Sequence, residues 1–418
     1  MTITDLQPQR LWKEFDAITR IPRPSKKEGK IIAYLQEFGK KHNLETRTDA
    51  AGNVLICKPA TKGYEDKPTV ILQSHMDMVC EKNNDTVHDF ENDPIQTYVD
   101  GEWLKAKGTT LGADNGIGMA AELAILASDD LKHPALECLF TVDEETGLTG
   151  AFAIDPNLLK GQLLINLDSE DDGQFFIGCA GGIDTTVTFT YKKEEMPEGL
   201  YYFTINVSGL KGGHSGGDIH LNRGNANKIL NRFMWQVAQK TELRISSICG
   251  GNLRNAIARE ASAVCAVPTD FKHELTIMLN KFAAEIEGEL SISDPGVKIA
   301  IDSCNKPEYM IDKETAHKLI YSIYACPHGV LRMSDDMPGL VETSTNLAAI
   351  KMQGDNEILI TTSQRSSTES SKRDAAYMVE SVFVLAGAKA THGDGYPGWK
   401  PNPKSPIANI VADTYEKL

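Results

Sequence analysis

The chain has 418 residues, 41% of them hydrophobic and 24% charged, with a formal net charge of -15 at pH 7. That length provides for two or three domains with real cores, and the acidic balance excludes nucleic acid or an anionic membrane as the main partner. The opening "MTITDLQPQRLWKEF" lacks the pattern of a secretory signal, no apolar run approaches bilayer-spanning length, and the eight scattered cysteines form no CxxC pair, so a cytoplasmic chain with reduced thiols is expected.

In chain order, Leu11, Phe15 and Ile18, then Ile31, Ile32, Leu35 and Phe38, recur at helical spacing, with a break at the prolines of "RIPRPS". Short apolar runs follow: "NVLICK", "TVILQSHMD", "ECLFTVDEE" and "QLLINLDSE". Between the second and third lies the helical stretch "DNGIGMAAELAILASDD". This alternation predicts an α/β fold with a largely parallel sheet covered on its faces, whose chemistry collects where strands end. After "GCAGGID" the texture changes. "YYFTINVSG" alternates like a half-exposed strand, "NANKILNRFMWQVAQKT" reads as an amphipathic helix, and a similar succession recurs over 297–385. The expected organisation is a first catalytic part over 1–182, an inserted α+β lid domain over 183–398 that reads as two related halves, and a return to the catalytic domain over 399–418.

The stretch "LFTVDEETGLTG" runs an apolar strand into Asp143, Glu144 and Glu145, three acids whose repulsion something must offset. On its own it is an ordinary solvated turn. Recurrence changes the reading, because His75 and Asp77 in "SHMDM", Asp114 in "LGADNGIG", and Asp168 in "NLDSE" also fall at the ends of predicted elements. Oxygen and imidazole donors without thiolate suit Zn²⁺, Mn²⁺ or Co²⁺ in a hydrolytic site. Residues i and i+2 share a strand face, so Asp77 is placed to hold the second ring nitrogen of a ligating His75. Glu144 and Glu145, read as a strand end turned by Gly147, point opposite ways, so that one binds metal and the other serves as general base.

In this order "HMD", "GADNGIG", "DEETG" and "NLDSE" resemble the di-zinc peptidases that include aminoacylases and carnosinases, and "GLKGGHSGGDIH", "GGNLRNAIARE" and "AYMV…GYPGWKP" extend the similarity along nearly the whole chain. The resemblance implies two divalent metals, zinc foremost, with His75 and Asp168 on one, Glu145 on the other and Asp114 bridging. It makes Glu144 the general base and Asp77 the residue that orients His75. It further implies that His214 stabilises the oxyanion, that Arg365 clamps the substrate carboxylate, and that Asn255 contacts substrate. The implied reaction is hydrolysis of dipeptides, Xaa-His among them; a homodimer is one open assembly for such a chain. An aminoacylase-like amidohydrolase and an inactive binding scaffold are the rival readings.

The family's last histidine ligand, from a C-terminal segment, has no match here. "SPIANIVADTYEKL" begins as a helix capped by Ser405 and Pro406, and its apolar stripe continues to Leu418, which reads as a truncated sequence with one weak metal position unless an internal histidine such as His392 completes the site.

Overall fold

The computed structural model describes residues 2–169 and 172–417; Glu170 of the "NLDSE" run and Leu418 lie outside the described residues. The chain divides into two compact units, one of residues 1–175 and 409–418, the other of residues 176–408. The second unit extends past the expected boundaries of 183 and 398 at both ends, and two narrow backbone pairings lie at that margin. Cys179 pairs with Trp399, and Gly182 pairs with Tyr396.

The first unit contains a five-stranded sheet in the order Glu45–Thr48, Val54–Lys58, Leu136–Thr141, Val70–His75, Leu163–Asn166. The last three strands are mutually parallel, and the two at the other side join antiparallel. The antiparallel edge follows from a tight turn in which Asp49 accepts the N–H groups of Ala51, Gly52 and Asn53. Every residue of Leu136–Thr141 is buried, as a run apolar on both faces requires. Alternate side chains serve two cores. Val54, Ile56, Leu72, Cys138 and Phe140 meet Phe15, Ile18, Ile31, Leu35 and Leu123 on the helical face. Leu55, Ile71 and Leu139 pack with Leu158 on the other. Helices Gln9–Thr19, Gly29–Lys41 and Ala113–Leu126 thus form where the apolar periodicity lies.

The second unit holds a nine-stranded antiparallel sheet with a nested repeat. Leu200–Ser208, helix Ala226–Ala238, Arg244–Gly250, Ala261–Pro268, helix Lys272–Glu289 and Lys298–Ser303 form one strand–helix–strand–strand–helix–strand half. Gly181–Thr190, helix Lys313–Ala325, Val341–Gln353, Glu357–Ser366, helix Glu369–Leu385 and Lys389–His392 form another. From the outer edge inward each half places its fourth strand, then its first, third and second, and the second strands meet with Gly250 opposite Ile350. The first half is therefore inserted after the first strand of the other. Helix Pro406–Tyr415 follows the two halves. No helix among the described residues is long and apolar enough to cross a membrane.

Glu122, in helix Ala113–Leu126, is fully buried, neither of its oxygens has a hydrogen-bond partner among the described residues, and burial holds its carboxyl well above the usual 4.5, which favours the neutral form in the fold. The unfolded chain ionises it near 4.5. Its contribution to stability is complete below that pH and is lost as pH rises towards the folded-state value, by up to about 1.4 kcal/mol per unit. Glu122→Gln has no proton to lose. Its melting temperature should match the parent at pH 4.5 and exceed it at pH 8, and a gap that fails to widen with pH would show that the carboxyl is solvated.

Candidate metal centre

The site is built at the carboxyl ends of the three parallel strands. His75 closes Val70–His75 with 1% of its surface exposed. Its Nδ1 lies 3.2 Å from Asp77 Oδ1, while Nε2 faces Asp114 Oδ1 at 2.9 Å and Asp168 Oδ1 at 3.4 Å. Asp77 is wholly buried. Besides His75 it accepts the Ser25 hydroxyl and the backbone N–H groups of Glu144 and Glu145, at 2.7, 3.0 and 3.2 Å. Burial would raise the Asp77 carboxyl, but the bonds from His75, Ser25 and the Glu144 amide hold it down at about 2.

The strand ends at Thr141, and Glu144 and Glu145 stand on a one-turn helix, Glu144–Gly147. The expectation that they alternate as strand neighbours is therefore corrected, and so is the bend at Gly147. The chain turns at Asp143 and Leu148, both at positive φ (51° and 55°). Asp143 donates its N–H to Glu28 and accepts the Thr146 and Thr149 hydroxyls, so that acid belongs to the turn. Both remaining glutamates face the centre. Burial, then neighbouring carboxylates, push each carboxyl above its usual range.

Asp114 does not cap its helix. It sits at φ -82°, ψ 112°, outside helical values, and regular helix begins after Asn115. Asn115 donates to Asp168 Oδ1 at 2.7 Å, a positioning contact that the sequence places only by adjacency. Arg23, from "RIPRPS", carries no sequence mark of its role either. It is buried and donates to the carbonyls of Met76, Asp77 and Gly112, joining the strand end of His75 to the loop of Asp114. Burial lowers Arg23 to about 10, so it stays charged at neutral pH. The glycines of "LGADNGIG" make room for it. A Cβ at Gly112 or Gly116 would come within 2.6 or 2.7 Å of Arg23 Nη2, and Gly112 also needs its φ of 69°.

The donor atoms fall into two overlapping groups that share His75. One adds Asp114 and Asp168 and the other Glu144 and Glu145, with ligand atoms within 4.8 Å of one another in each. One imidazole with several carboxylates and no thiolate fits divalent cations of the zinc, manganese or cobalt type. In a third acidic group, Glu28, Asp77 and Asp143, each residue already accepts hydrogen bonds, Glu28 through Oε1 from the Lys26 and Asp143 N–H groups.

His214, Asn255 and Arg365 lie in the second unit. Gly213–His214 pairs with Ala256–Ile257, and the Ser215 N–H donates to the Asn255 carbonyl at 2.8 Å. Gly216 lies between His214 and Arg365, since a Cβ there would be 3.2 Å from one and 3.3 Å from the other. His214 Nδ1 accepts the N–H groups of Gly216 and Gly217 at 3.3 and 3.1 Å, which leaves the proton of the neutral ring on Nε2. Both ring nitrogens of His392 are engaged within the same unit, Nδ1 with Thr185 Oγ1 and Nε2 with Glu380.

A family model described as a peptidase dimerisation domain matches residues 205–293, within the first half of the lid repeat. The chain is 44% identical over 416 residues to the cytosol non-specific dipeptidase of Escherichia coli K12, covering 100% of this chain and 86% of that one. It is likewise 44% identical to an aminoacylhistidine dipeptidase of Vibrio alginolyticus, with a TM-score of 0.98, covering 100% of this chain and 85% of that structure. A tripeptidase of Staphylococcus aureus, 17% identical with a TM-score of 0.50 over 98% of this chain and 82% of its own, shares the fold.

Burial would discharge His75, but the hydrogen bonds its ring donates to the Asp168, Asp77 and Asp114 carboxylates outweigh it and push the imidazole up to about 11. A cation needs the neutral ring. Loading the metal-free protein at pH 7 should therefore release about one proton from His75, and affinity should weaken about ten-fold per unit of falling pH. Titration calorimetry in buffers of different ionisation enthalpy counts that proton. Zero release would remove His75 from the ligand set.

Proposed function

The chain belongs to the M20 family of metallopeptidases and is a metal-dependent dipeptidase, and from that premise we propose how its residues divide the work on dipeptides, Xaa-His among them. The observation that carries the reading is the convergence of His75 and four carboxylates, Asp114, Glu144, Glu145 and Asp168, at the strand ends. Relatives alike along the whole chain add to it, both named as dipeptidases. The name of the Escherichia coli relative also supports action in the cytosol, and the dimerisation-domain match supports a homodimer.

The family is one of dinuclear metal peptidases. In our reading His75 and Asp168 would hold one cation, Glu145 the other and Asp114 both, with Zn²⁺ favoured over Co²⁺ or Mn²⁺. When bound, such a pair supplies Lewis acidity that brings the pKa of a water from 15.7 towards about 7. Glu144 takes the proton of the attacking water and returns it to the leaving amine. Asp77 fixes the His75 tautomer by accepting the Nδ1 proton, which aims the Nε2 lone pair at the ligand position. His214, with its Nδ1 tied to two glycine amides, presents Nε2–H to the developing oxyanion. Arg365 takes the substrate's terminal carboxylate, and Asn255 is a further substrate contact.

A dipeptide panel including β-alanyl-histidine, assayed with chelator and then with added Zn²⁺, tests the reading. Hydrolysis should stop and return, and hydrolysis indifferent to chelator would overturn it. Glu144→Gln should keep its metal and lose about 10²- to 10⁴-fold in kcat, whereas Glu145→Gln should lose metal. Equal metal loss in both variants would reverse or cancel these roles. Arg365→Ala should lower kcat/KM about 10- to 150-fold for free-acid dipeptides and spare their C-terminal amides. An equal effect on both substrates would exclude Arg365 as the clamp.

A further inference from the structure

The turn "GYPGWKP" has no part in the division of work above, yet Tyr396 within it touches Arg365. Arg365 on Glu357–Ser366 stands directly opposite Gly182 on Gly181–Thr190. Tyr396 lies along the other side of Gly182, exchanging backbone hydrogen bonds with it at 2.8 and 3.1 Å. Three backbones therefore run abreast, arginine, glycine and tyrosine, with only a hydrogen atom in the middle position. Arg365 Nη1 reaches the phenol oxygen of Tyr396 at 2.9 Å across this gap. A Cβ on Gly182 would lie 2.8 Å from Cε1, Cζ and Oη of the ring, so any larger residue there would displace the phenol. The turn is pinned from beneath as well, since the buried Lys372 ammonium donates to the Tyr396 carbonyl.

The chemistry of the contact is directional. A guanidinium has donors only, so Tyr396 Oη accepts, and its own proton remains to be donated. Among the described residues that proton has no acceptor, and Arg365 Nε is buried without a partner. Two adjacent donor groups with uncommitted protons match the two oxygens of a carboxylate. We infer that Tyr396 is a second arm of the carboxylate clamp, donating its phenol proton to the terminal carboxylate of the dipeptide held by Arg365. This rests on the reading of Arg365 given above. It makes Tyr396 a residue that selects free-acid over amidated substrates, with Gly182 as the spacer that lets the two arms meet.

Tyr396→Phe keeps the ring on Gly182 and removes only the hydroxyl. The expected result is a KM for free-acid dipeptides raised about ten-fold, with kcat unchanged and C-terminal amides unaffected. Calorimetry with the free product amino acid and with its amide reads the same selectivity without turnover, and only the free acid should bind more weakly. Two results would overturn the inference. If Tyr396→Phe changes acid and amide alike, or neither, while Arg365→Ala remains selective for the acid, Tyr396 is no clamp and the role of Arg365 stands. If Arg365→Ala is itself unselective, the clamp reading fails and the role of Tyr396 falls with it.

Discussion

One buried carboxylate, Asp77, holds the catalytic unit's site in register. It takes the inner nitrogen of His75, the hydroxyl of Ser25 and the two amides that begin the acidic turn. A carboxylate accepting that many protons is strongly held in its charged form. Removing it would leave a buried imidazole, a hydroxyl and two amides without their acceptor at once, each a costly orphan in a dry interior. The charge is not isolated, because Arg23 lies against the carbonyls of Met76 and Asp77. Breaking such a set on one side costs far more than its net worth, which is why its members act as a unit.

The acidic turn follows from the same arrangement. Three consecutive acids end up in three environments. Asp143 is absorbed by threonine hydroxyls and by Glu28, while Glu144 and Glu145 are delivered side by side because Asp77 anchors both of their amides. Their carboxyls sit above their ordinary range, first because they are buried and then because like charges crowd them, a load that a cation would relieve. In the lid unit, backbone amides perform the equivalent service for His214, whose ring orientation is set by two glycines.

Much of this was legible in the sequence because it rides on apolar strands. Leu136–Thr141 is wholly buried and Val70–His75 mostly so, which makes their hydrophobic runs unmistakable and lets the polar residues that close them stand out. Legibility failed where burial is polar. In Val341–Gln353 the buried stretch includes Glu342, Thr343, Ser344, Thr345 and Asn346, a run that no hydropathy pattern marks as interior. Arg23 escaped for the same reason, since its partners are main-chain carbonyls far away in sequence. The turn at Asp143 is not legible because a non-glycine residue at positive φ leaves no compositional trace, whereas Gly147, the residue that invites the assignment, does not make it.

The nested repeat of the lid unit has a consequence for how the chain acquires its structure. Gly181–Thr190 is made early, but its neighbours in the sheet, Glu357–Ser366 and Lys389–His392, arrive only after the whole inner half, with contacts such as Thr185 to Gln364 and to His392 spanning 179 and 207 residues. The inner half, by contrast, closes on itself within 200–303. Loop closure over such separations is slow, and domains complete during synthesis in the order their last strand emerges. The inner half can therefore be finished on the ribosome while the outer half still waits for its partners. The strand that waits also carries Gly182, so the Arg365–Tyr396 contact is among the last features of the molecule to form.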